Sequence, residues 1–162
     1  MPQAITGVFP PELGEVTIMT VWPTLSATKA GQIMGRLCMI DVGVGIFTLG
    51  KVMALLLIGP AIGLFIFTLL PGVSRRYRLT NRRLMIETGL KPRPESWVEL
   101  ERFDSVEVVV LPGQEWYPAG DLVFRKGQIE TFRLAGVSRP ETFRRTCLEA
   151  RAAYVGAALA TA

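Results

Sequence analysis

Hydrophobic positions along the chain fall into two regimes with different periods. From Val52 to Ser74 (Val-Met-Ala-Leu-Leu-Leu-Ile-Gly-Pro-Ala-Ile-Gly-Leu-Phe-Ile-Phe-Thr-Leu-Leu-Pro-Gly-Val-Ser) the apolar run has no polar stripe, and no charged side chain stands between Lys51 and Arg75. About 20 mostly apolar residues cross a hydrocarbon core ~30 Å thick. A transmembrane helix is therefore expected over 52–71, because a core helix of a soluble protein normally keeps a polar side. Gly59 and Pro60 predict a kink inside it.

A weaker run, Ala30 to Gly50, precedes it, broken by Arg36 and Asp41 and rich in glycine (Gly43, Gly45, Gly50). It reads either as the first arm of a helical hairpin, 30–49 and 52–71 turning at Gly50 and Lys51, or as an amphipathic in-plane helix before a single span. Asp41 at a midplane would cost about 2.5–3.5 kcal/mol, so it is expected to have either a partner, with Arg36 five residues earlier within reach, or a water-accessible position. Positive flanks at Lys29 and Arg36 agree better with the hairpin.

Elsewhere the period is two. Glu15 to Trp22 is rich in β-formers and stops at Pro23, which predicts a strand. That strand needs a sheet, and the sheet lies beyond the span, which asks for an even number of crossings. Six strands are predicted there: Arg75–Thr80, Leu84–Thr88, Trp97–Leu100, Ser105–Leu111, Asp121–Arg125 and Ile129–Leu134. Gly89–Pro94 reads as a loop and Pro112–Ala119 as a long turn. A helix follows, with Ser138 and Glu141 as a capping box and Pro140 in the first turn. Its inner face is Phe143, Cys147, Ala150, Tyr154 and Ala158; Arg144, Arg145, Glu149 and Arg151 face outward, and the alanine-rich end beyond Tyr154 is expected to fray. Residues 1–14, with three prolines and two glycines, read as a flexible tail without the positive start of a secretory signal.

Charge sharpens this picture. Before residue 75 basic and acidic side chains cancel, so the net +4 lies wholly in the C-terminal part. Residues 75–93 hold seven basic side chains against one acid, Glu87. A basic excess beside a span keeps the following domain cytoplasmic and suits anionic headgroups rather than nucleic acid. The chain has no histidine and two cysteines, Cys38 and Cys147. That removes Ser-His-Asp and Cys-His nucleophile systems, most metal sites and a disulfide framework, and it fits a reduced setting. No cofactor is implied.

Tyr77-Arg78-Leu79-Thr80-Asn81-Arg82-Arg83-Leu84, followed by Gly89, resembles the Y-x-L-T-N-x-R signature of bacterial membrane-anchored pleckstrin-homology (PH)-like proteins. The strand ending at Pro23, Phe103-Asp104-Ser105-Val106 and Gly120-Asp121-Leu122 are similar to further segments of that family. The resemblance covers about residues 15–145. It implies a membrane-anchored α+β chain: a helix or helical hairpin, then a PH-like antiparallel barrel or sandwich capped by a C-terminal helix. It implies no catalytic residues. Asn81 then fits a tight turn with positive φ, and Thr80 a local backbone bond. The domains expected are 1–27, tail and extra strand; 28–72, membrane region; and 73–162, cytoplasmic PH-like domain.

The candidate binding residues are Arg75, Arg76, Arg78, Arg82, Arg83, Lys91 and Arg93, a basic strip for an acidic headgroup, with Trp116 and Tyr117 at a loop tip for the interface or a partner. Glu99, Glu101, Asp104, Glu107 and Asp121 are scattered over strands and read as a solvated sheet face, not as paired acid and base. The expected function is a non-catalytic module at the inner leaflet that binds or scaffolds a protein partner or anionic lipid. The alternative is a structural subunit of a larger membrane complex, packed through its glycine-rich helices.

Overall fold

The computed structural model describes residues 14–44, 47–70, 73–89 and 91–161. The tail expected over 1–14 therefore lies, up to residue 13, outside the described residues. In chain order come β1 (Thr17–Val21), a single 3-10 turn (Leu25–Ala27), α1 (Lys29–Cys38), β2 (Gly43–Val44), β3 (Phe47–Thr48), α2 (Leu49–Leu56) and α3 (Ile58–Leu69). Then follow β4 (Arg75–Thr80), β5 (Arg83–Thr88), β6 (Arg93–Glu99), a second 3-10 turn (Leu100–Arg102), β7 (Ser105–Val109), β8 (Ala119–Lys126), β9 (Ile129–Ser138) and α4 (Pro140–Thr161).

Period-two alternation builds two antiparallel sheets, ordered β1-β4-β5-β6 and β7-β8-β9. Alternate residues point to opposite faces of a strand, so Tyr77 and Leu79 go inward from β4 while Arg76 and Arg78 point out. Leu84, Val98, Leu122, Phe124, Leu134 and Val137 meet them between the sheets. Phe103 and Phe124 pack edge to face with ring centres 5.0 Å apart. One end of this core is closed by Phe143, Cys147 and Ala150 of α4. Burial pushes the Cys147 thiol up to about 12. The strand expected before Pro23 is β1, and it lies against β4, pairing Val21 with Tyr77. Residues 22–74 are thus one excursion between two hydrogen-bonded neighbours in a sheet.

Boundaries differ where tertiary context outweighs local pattern. β6 begins at Arg93, four residues before Trp97, and takes in Pro94. It is an edge strand, where a residue without an N–H is tolerated. Ser138 does not cap α4; it is the last residue of β9, and Glu141 pairs with Arg144 at 2.9 Å. Arg144 and Arg151 do not simply face outward, since they donate to the carbonyls of Val106 and Phe103 and fasten α4 to the sandwich. The helix continues past Tyr154 to Thr161, and Ala158 is exposed rather than inward.

The largest departures lie in the excursion. The helix expected over 30–49 ends at Cys38, and 39–48 hold a short hairpin of β2 and β3. Thr28 starts α1 by accepting from the Gly31 N–H at 3.1 Å. Its end falls where Asp41, Val42 and Gly43, all poorer helix formers, follow one another. Ten residues rise about 15 Å, half of a ~30 Å hydrocarbon core. Asp41 is exposed and outside the helix; Arg36 donates to the Pro112 carbonyl at 3.1 Å. The helix expected over 52–71 is divided into α2 and α3, bent by 51° at Leu57. Pro60 has no N–H for the Leu56 carbonyl, and its ring crowds that oxygen, so the helix breaks one turn before it. Among the described residues no single helix is long and apolar enough to cross a membrane; this bent pair passes by length and composition only when its two halves are taken together.

A candidate membrane-facing site

Most arginines of the expected strip are held by carboxylates of the same chain. Antiparallel register sets Arg76 opposite Glu87, and Arg76 and Arg78 both reach its carboxylate, at 2.7 and 3.2 Å. Glu87 is only 4% exposed, so one buried carboxylate is shared by two guanidinium groups and the three-membered cluster keeps a net charge of one positive. The Arg76 guanidinium also lies 6.0 Å from the centre of the Trp22 ring. Arg75 pairs with Glu95 at 2.9 Å, and Arg83 with Glu15 at 2.6 Å. Arg82 is exposed, and its carbonyl accepts from the Leu100 N–H. Lys91 and Arg93 are exposed and take no part in an ion pair among the described residues. The strip therefore offers two unengaged cations near its end, not seven.

The signature residues Thr80 and Asn81 hold the excursion's root. Thr80 Oγ1 accepts from the Arg83 N–H at 3.1 Å and lies 3.0 Å from a Glu15 carboxylate oxygen. Asn81 is not in the left-handed region, as the turn reading required. Its side chain accepts from the Val16 N–H and donates to the Gly14 carbonyl, both at 3.0 Å. The pair clamps the approach to β1 onto the β4–β5 turn. Tyr77 reaches the Ala135 carbonyl at 2.8 Å, and burial pushes its phenol up to about 12.

Trp116 and Tyr117 sit in the Leu111–Pro118 loop against α1. Trp116 is exposed; Tyr117 is half-buried, and burial first, then the nearby Cys38, raises its pKa. Gln114, in the same loop, is fully buried: it donates to Asp121 at 2.6 Å and accepts from the Leu111 N–H at 2.9 Å. Asp121 is likewise buried, against the expectation of a solvated face, because the Gly136 N–H and Arg133 also satisfy it. Glu107 pairs with Arg125, Glu99 with Arg102, and Asp104 accepts from the Gly127 N–H, which keeps these carboxylates apart. Among the described residues no three His, Cys, Asp or Glu side chains cluster as metal ligands would.

What the linear reading missed is a cleft of about 730 Å³ where α3 meets the sandwich. Trp22, Phe65, Leu69 and Val73 give it an apolar lining, and Arg75 and Arg93 stand at its polar side. Beside it the bent pair carries large apolar side chains that protein leaves mostly uncovered: Leu55 is 70% exposed, Leu56 64% and Ile66 58%. Trp22 borders Pro23 in sequence, but nothing local indicates that it shares a cleft with residues forty positions on.

Two antiparallel sheets closed by a C-terminal helix are the architecture of a PH-like sandwich, and the comparison with protein families agrees. The model described as Bacterial PH domain matches residues 39–151, from the end of α1 through the sandwich into α4. Nothing matches the chain among curated proteins or among solved structures. The chain belongs to the bacterial PH domain family.

Proposed function

We propose that this chain is a non-catalytic, membrane-associated PH-like module that engages anionic headgroups at the inner leaflet and holds its sandwich there. The observation that carries the reading is the uncovered apolar surface of α2 and α3. Contiguous exposed patches beyond a few hundred Å² mark interaction surfaces, and here twenty helical residues contain one charge, Lys51. Lys91 and Arg93 supply the charge complementarity, with Arg93 at the cleft that Phe65 and Leu69 also line. The arginine excess after the apolar segment supports a cytoplasmic position for the sandwich.

Vesicle flotation of the full chain tests this. Binding to neutral vesicles through the apolar pair is expected, strengthened by anionic lipid and weakened by salt. Each basic residue near an anionic surface contributes ~1 kcal/mol, so replacing Lys91 and Arg93 together by Gln should reduce the anionic preference about thirtyfold. An unchanged preference would remove the headgroup role and leave a protein partner for the module.

A second reading, a subunit packed within a membrane complex, is favoured by Gly59 and Gly63. They are one turn apart on α3, and neither has anything within 4 Å of where a Cβ would sit. Small residues at that spacing let helices approach closely. Mass measurement after mild detergent extraction decides: this reading requires stoichiometric additional chains, and a lone monomer sinks it.

A further inference from the structure

We propose that α2 and α3 form a monotopic insert: both ends stay on the face of the membrane that holds the sandwich, and the apolar surface is seated in the acyl chains of that one leaflet. The inference rests on the membrane association proposed above and adds its topology.

Strand pairing sets the parity. β1 and β4 are hydrogen-bonded neighbours, and Asn81 ties Gly14 and Val16 to the turn after β4. A chain that leaves and re-enters one sheet crosses a bilayer an even number of times. Between those strands, among the described residues, only 49–69 has the length and composition of a span, and it is bent. α1 is too short to supply a second crossing, and it is built onto the sandwich. A Cβ on Gly35 would overlap the Gly113 carbonyl, a Cβ on Gly113 would overlap that of Gln32, and Arg36 bonds Pro112. The even number left is zero.

The bent pair is also bonded at its first end, and stays beside the same body at its second. At the first, the Leu49 N–H donates to Val42 at 2.7 Å and the Gly50 N–H to Ile40 at 2.9 Å, with no room for a Cβ on Gly50 beside the Cys38 carbonyl. At the second, Phe65 and Leu69 line the cleft with Trp22 and Tyr77. A crossing would carry one end about 30 Å from the sandwich. Along α3, Ala61, Leu64 and Thr68 are partly covered, whereas Ile58, Ile62, Phe65, Ile66 and Leu69 are exposed. The uncovered surface spans most of the helix circumference, wider than the seam a partner helix fills, and acyl chains cover such a surface without a matching shape.

The full chain carrying Cys38→Ser, which leaves the buried Cys147, is given a thiol-reactive fluorophore through Ile62→Cys or, separately, Leu55→Cys. Both positions are exposed, so neither change touches the core. The protein is bound to phosphatidylethanolamine–phosphatidylglycerol vesicles with a spin-labelled quenching lipid confined to the outer or the inner leaflet. Quenching several-fold stronger from the outer leaflet is expected for both variants, with no modification of Ile58→Cys by an impermeant maleimide trapped in the lumen. Strong inner-leaflet quenching or lumenal modification overturns the monotopic topology while leaving membrane association intact. Fluorophore self-quenching that persists on dilution into excess lipid overturns lipid as the occupant in favour of a second copy. A chain that does not float overturns the association itself, and this inference with it.

Discussion

Asn81 joins three backbone groups that would otherwise have no ladder to enter. Its side chain serves Val16 and Gly14, and its own N–H donates to the Val16 carbonyl at 3.1 Å. Asn81→Ala leaves a donor and an acceptor unpartnered and should cost about 1–3 kcal/mol, read as a lowered urea midpoint with unchanged slope. Glu15 beside it adds a pH dependence. The Arg83 side chain, donating to both carboxylate oxygens, holds its pKa below the ordinary value; burial opposes this and Thr80 assists. A depressed folded value means stability that is present above the unfolded pKa and lost as pH falls through the folded one. Protection of the Thr17–Val21 amides, taken against the intrinsic exchange rate at each pH, should therefore fall on acidification below the usual glutamate range. Glu15→Gln should flatten that response, and an acid slope identical to the parent's would show that another group is responsible. The register makes part of this legible beforehand: a turn at Asn81 and Arg82 places Glu87 opposite Arg76. Glu95, on β6, and Glu15, in the segment before β1, by contrast reach their arginines from elsewhere in the chain, and no local spacing announces that.

At the scale of elements, glycines in α1 and α3 have opposite settings. Gly35 lies against the backbone of Gly113, so α1 docks on the Leu111–Pro118 loop by backbone approach. Gly35→Ala should force the two apart and cost about 1–3 kcal/mol, the range for overpacking. Proteolysis near α1 should rise with it, and a variant as resistant as the parent would mean that α1 is not held there. Gly59 and Gly63 meet open space. Gly63→Ala should leave the sandwich's stability within about 0.5 kcal/mol of the parent. A changed oligomer mass in that same variant would favour the subunit reading over lipid alone. The apolar run was readable as helix because composition and length suffice for that. Its division at Leu57 followed from Pro60. The stop at Cys38 and the β2–β3 hairpin were not readable, because a glycine-rich, weakly apolar stretch has no strong period and its neighbours decide its form.

At the scale of the whole molecule, the boundary between the β-domain and the inserted helices falls inside the excursion. Thr24 bonds the Gly136 carbonyl through both its N–H and its hydroxyl, and Ala27 packs on Gly136, so residues up to 27 belong to the β-domain. A spliced chain, 1–27 joined through a short flexible linker to 73–162, should unfold cooperatively and lose binding to neutral vesicles while keeping weak, salt-sensitive attachment to anionic ones. Retained neutral-vesicle binding would place the membrane contact outside α2 and α3.

The sequence by itself determined the strands of the sandwich, the β1 partnership with the sheet beyond the apolar run, the closing helix and the family, because alternation, turn residues and a local motif are short-range signals. It also marked 52–71 as the apolar centre. Only the tertiary structure decided which arginines are engaged, that Gln114 and Asp121 are buried together, and that the bent pair returns to the body it leaves. Those depend on contacts between residues tens of positions apart, which the order of side chains along the chain does not carry.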